Sequence, residues 1–127
     1  MSGHPDPVGA YRQTVEEGAR PQQIVEAARQ CPHLSIDEAM PALLALTDHR
    51  SNNLFERTAR RWVQRYEREV EPVPSDAELG LLRAALATLP GWDATAGVGA
   101  ETLAALLDLR GLGYARSAVL RWAERQP

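Results

Sequence analysis

Arg57, Arg61, Arg65 and Arg68 step by four, four and three residues, which sets four guanidinium groups along one face of a helix. A guanidinium is always charged and presents a planar fork of donors that matches carboxylates and phosphates. Groups one turn apart meet successive phosphates of a nucleic acid, or the carboxylates of an acidic protein surface. Residues 50 to 68 hold six arginines against Glu56 and Glu67, a local balance of +4. The competing reading is a solvated face with intrahelical pairs, because Glu56–Arg60 and Arg65–Glu69 both fall at i,i+4.

A second basic group, Arg116, Ser117 and Arg121, lies in ETLAALLDLRGLGYARSAVLRWAER, two helical stretches with the outline of a DNA-reading helix-turn-helix. That motif wants a tight turn and a small residue in its first helix. Here two glycines flank Leu112 and Leu109 occupies the small position, so an ordinary helical hairpin is expected. Cys31, His33 and His49, with Asp37 or Asp48, are the candidates for a metal site or for a cysteine nucleophile with its base. Cys-x-His spacing suits a helix poorly, and no second close pair accompanies it. Cys31 is therefore expected as a buried structural thiol, with no metal, no cofactor and no catalytic role. Gly97-Val98-Gly99 lacks both a preceding strand and a following Gly-Lys-Ser/Thr, so it does not make a phosphate loop. Residues 91–99 are expected as a glycine-rich loop, with Trp92 either an exposed contact or a cover for the core.

The elements that position these residues are all helical. Asp6-Pro7 and Gly18 bracket a first helix carrying Val8, Tyr11 and Val15 on one face. Pro21 opens a second with Ile24, Val25, Ala28 and Cys31, closed by Pro32. Ser35 with Glu38, and Ser75 with Glu78, have the spacing of reciprocal capping boxes. Pro41 either kinks the third helix or marks where its regular part begins. Phe55, Ala59, Trp62, Val63, Tyr66 and Val70 form an apolar stripe nearly opposite the arginines, so Trp62 should face inward while they face water. Leu79, Leu82, Ala85, Leu86 and Leu89 mark a fifth helix ending at Pro90-Gly91, and helices over 101–110 and 114–124 complete the chain. The expected fold is all-α, a compact bundle of six or seven short helices in one domain over 1–127.

Internal halves, 20–70 and 76–125, are joined by a Pro-rich connector at 71–75. Ala-Leu-Leu-Ala-Leu at 42–46 resembles Ala-Leu-Leu-Asp-Leu at 105–109, and Arg61-Trp62 resembles Arg121-Trp122. Two similar three-helix units, or chance likeness among helices rich in Ala, Leu and Arg, both account for this. The offset between halves wanders, and Arg57-Thr58-Ala59 and Arg61-Trp62 cannot both be aligned without a gap inside a helix.

With 127 residues, 44% hydrophobic and 24% charged, the chain has the size and composition of an ordinary globular domain. The net charge of -3 supplies no global field toward DNA or an acidic membrane. A single cysteine rules out an intramolecular disulfide, and the start MSGHPDPVGAY lacks the look of a signal peptide, so a cytoplasmic location is expected. The functional expectation is a small non-catalytic protein–protein interaction module, a regulatory or accessory subunit, with Arg57, Arg61, Arg65, Arg68 and Trp92 as contact residues. Its partner would be another protein or a second copy of itself, with no membrane involved. The alternative is a DNA- or RNA-binding regulator using the Arg57–Arg68 face or Arg116, Ser117 and Arg121; the acidic balance weighs against it.

Overall fold

A computed structural model describes residues 6–48 and 52–127, and among them the chain forms seven α-helices and no strand. They are α1 (Pro7–Glu16), α2 (Pro21–Arg29), α3 (Ile36–Ala45), α4 (Asn52–Glu69), α5 (Asp76–Ala87), α6 (Ala94–Leu109) and α7 (Gly113–Glu124), with a 3-10 turn at Leu46–Asp48. No described helix is long and apolar enough to cross a membrane.

The caps explain most of the boundaries. Asp6 accepts the Val8 N–H, and Pro7 takes the first helical position of α1. α1 and α6 each end on a glycine at positive φ, Gly18 at 67° and Gly111 at 70°. In both, two crossed backbone bonds close the end: Ala19 N–H to Thr14 and Gly18 N–H to Val15 in α1, Leu112 N–H to Leu107 and Gly111 N–H to Asp108 in α6. This left-handed closure favours a residue without Cβ.

The two capping boxes form only by half. Ser35 Oγ and Ser75 Oγ accept the N–H groups of Glu38 and Glu78 at 3.0 and 3.1 Å. The glutamates do not reach back to the serine backbones; arginines from other elements, Arg12 and Arg110, hold their carboxylates, while Glu38 Oε1 still accepts the Ser35 hydroxyl at 3.2 Å. A charge-assisted bond to guanidinium outweighs one neutral amide at a helix end.

Helix α3 begins ahead of Pro41 and continues through it. Pro41 offers no N–H to the Asp37 carbonyl. One residue on, the buried phenol of Tyr11 donates to the Glu38 carbonyl at 2.6 Å and accepts the Ala42 N–H at 3.3 Å. A side chain from α1 thus serves two backbone groups that stand i,i+4 to each other beside the proline.

Of the loop expected at 91–99, only residues 91–93 are non-helical, and 94–99 form the start of α6. Asp93 caps it by accepting the Ala96 N–H at 2.9 Å, and the helix expected from 101 begins at Ala94. Glycine propensity misleads here because tertiary packing asks for Gly99. A Cβ at that position would stand 1.9 Å from Thr88 Oγ1 and 3.0 Å from the Ala85 carbonyl oxygen, so α5 and α6 approach too closely for any side chain.

The main core is built from α3 to α7, around Met40, Leu43, Phe55, Tyr66, Leu82, Leu103, Leu107 and Val119. Each fully buried aliphatic side chain stabilises the fold by about 1.5–3 kcal/mol before entropy is counted. Tyr11, Val15, Ile24, Cys31 and Leu34 form a second cluster where α1 and α2 cover α3. α3 is the shared wall: it packs on α2, α4 and α7, while α6 packs on both α5 and α7.

Candidate functional site

α4 carries the strongest charge pattern, and its geometry follows from its two opposed stripes. Phe55, Ala59, Trp62, Val63, Tyr66 and Val70 are all buried. The Trp62 indole N–H donates to the Ile36 carbonyl at 2.8 Å, and its ring lies 5.5 Å from that of Tyr66. These anchors fix the rotation of α4 and turn the arginine face outward.

Arg57, Arg61 and Arg68 are exposed, spread over about 16 Å of helix. Among the described residues none of the three has a carboxylate within ion-pair distance; the ion pairs there belong to other arginines. Arg65 differs from the free group that spacing implies. It sits about 60° around the helix from Trp62, on the flank of the row nearest the core. It is half-buried, donates from Nη2 to the Leu34 carbonyl at 2.8 Å, and pairs with Glu69 at 2.9 Å. Arg65 therefore ties α4 to the turn before α3. The Arg65–Glu69 pair forms as expected; Glu56–Arg60 does not.

Trp92 lies in the short connector between α5 and α6, just ahead of Ala94. It is half-buried, edge-on to Trp122 with ring centroids 5.4 Å apart, and its ring passes under Gly97. That contact places much of the indole against the core. Trp122 is buried, yet its Nε1–H finds no acceptor, unlike that of Trp62. Leaving such a donor unpaired costs about 1–3 kcal/mol.

Arg116, Ser117 and Arg121 are exposed on α7, with Arg116 within 3.8 Å of Asp108 on α6. The α6–α7 turn spans three residues, and Leu109 is 81% exposed. Cys31 is buried, its thiol donating to the Ala27 carbonyl at 3.4 Å, and burial pushes its pKa up. His33 is exposed; His49 lies outside the described residues. Among the described residues no three His, Cys, Asp or Glu side chains come together as metal ligands.

Reading charges as isolated surface groups misses three tertiary links. Glu78 accepts Arg110 Nη2 and Nε at 2.6 and 2.8 Å and the Tyr66 hydroxyl at 2.5 Å. Arg110 Nη1 also holds the Pro72 carbonyl at 2.9 Å, so the 71–75 connector is fastened to the end of α6. Arg110 lowers the pKa of Glu78, and burial pushes Tyr66 up to about 12. Asp37 accepts the Ala115 N–H at 2.7 Å, which caps the first turn of α7 from α3. No short-range spacing announces contacts between residues 32 or 78 positions apart.

Comparison of the chain with protein-family models, with curated proteins and with solved structures gives no match.

Proposed function

We propose that the chain is a non-catalytic helical module, a regulatory or accessory subunit, that docks on an acidic partner protein through the arginine face of α4. The observation that supports this reading is the exposure of Arg57, Arg61 and Arg68 with no carboxylate partner among the described residues. Fixed like charges on a rigid helix repel one another, and a complementary acidic surface relieves that repulsion while steering association. The net charge of -3 favours a protein over a nucleic acid as the partner.

Charge reversal tests the proposal. Changing Arg57, Arg61 and Arg68 together to glutamate should leave the melting temperature nearly unchanged, because none of the three makes an ion pair among the described residues. It should abolish capture of the partner from native lysate, and high salt should do the same in the wild type. A gel shift at low salt separates the alternative: binding to DNA or RNA that is lost in the reversed variant would replace the protein partner with a nucleic acid.

A further inference from the structure

A cleft of about 330 Å³ opens between the end of α1, the start of α2 and α7, and it lies apart from the α4 face. α3 packs on both α2 and α7 and closes it from behind. Val15, Ile24, Leu44 and Ala118 give it an aliphatic lining, and the buried Trp122 adds an aromatic wall. Arg121, in the last turn of α7, and Arg125, its C-cap, are the only charged side chains among the described residues that line it. Among the described residues neither has an ion-pair partner.

We propose that this cleft binds a small amphipathic carboxylate, an acyl or aryl-alkyl chain in the aliphatic part with its carboxylate held by Arg121 and Arg125. The volume falls at the lower end of small-ligand pockets, about 300–1,000 Å³, which suits a medium-length chain rather than a cofactor. Arg121 and Arg125 give the cleft a positive rim, and the planar guanidinium fork fits a carboxylate.

Isothermal titration of the full chain with decanoate tests the assignment, with decanol and acetate as controls for the charge and the chain. Saturable binding of one decanoate per chain is expected, with decanol and acetate at least about tenfold weaker, since one charge-assisted pair is worth about that factor. Arg121→Gln with Arg125→Gln should weaken decanoate about tenfold or more, and Ala45→Trp, which fills the cleft, should abolish binding. Ala19→Trp fills it from the opposite side and replaces Ala45→Trp if circular dichroism shows that variant unfolded. Absence of decanoate binding, non-saturable binding at many sites, or binding unchanged in both the arginine and the filled variants would overturn the proposal.

Discussion

Arg110, at the end of α6, grips the Glu78 carboxylate in the first turn of α5 through both Nε and Nη2. Its third nitrogen holds the Pro72 carbonyl, and Tyr66 of α4 donates to the same carboxylate. Three helices and the 71–75 connector therefore meet on one charge pair that is only 11% and 20% exposed. Arg110→Ala should lower the melting temperature by about 5 °C or more, whereas Arg116→Ala, whose pair with Asp108 is loose and exposed, should lower it by no more than about 1 °C.

The same pair sets an acid limb of stability. Arg110 holds the Glu78 pKa below its ordinary value, so the folded state favours the ionised carboxyl. The stabilisation is fully present above the unfolded glutamate value of about 4.3 and is lost as pH falls through the lowered folded value. Melts between pH 7 and pH 3 should show this decline in the wild type and a shallower one in Arg110→Ala.

At alkaline pH the tyrosines behave in the opposite sense. Burial raises Tyr11 and Tyr114 above their ordinary value and takes Tyr66 up to about 12. Protonated phenols are thus favoured by the fold; their contribution is whole below about pH 10 and falls as pH rises toward the folded values. Absorbance at 295 nm should show no tyrosinate step near pH 10 in the native protein, and the step should return near pH 10 in denaturant.

Two glycines in helix interiors should respond with opposite signs. Gly80 has open space at its Cβ position, so Gly80→Ala should stabilise by about 0.5–1 kcal/mol through the unfolded chain and helix propensity. Gly99→Ala drives a methyl into Thr88 and the Ala85 carbonyl, and should destabilise by about 1–3 kcal/mol despite the better helix former. Urea unfolding of both variants measures the difference.

What the sequence made legible, and what it hid, divides along the range of the interaction. The stripe of Phe55, Trp62 and Tyr66 is periodic, and the caps at Asp6 and Gly18 use neighbours a few residues away, so both were readable from spacing. Gly99 is illegible from local sequence because its reason lies on another helix, at Thr88. Pro41 left two readings open because its compensation comes from Tyr11, thirty residues earlier in the chain. Glu38 and Glu78 have the local spacing of cap partners, and nothing local shows that Arg12 and Arg110 compete for them. The arginine row was visible as a pattern, but the diversion of Arg65 to the Leu34 carbonyl depends on where the turn before α3 falls. The α1–α7 cleft gave no signal at all, because Arg121 and Val15 come together only through the wall that α3 provides.

The central claim is that the outer face of α4 meets an acidic protein. Gln64 is exposed on that face beside Arg57 and Arg61, which makes it the position for a photo-cross-linking amino acid in the native host. Irradiation should give one dominant protein adduct whose peptide at the cross-link is rich in Asp and Glu, and the adduct should vanish when Arg61 and Arg68 are reversed to glutamate. No protein adduct, or an adduct of equal yield in the reversed variant, would contradict the account.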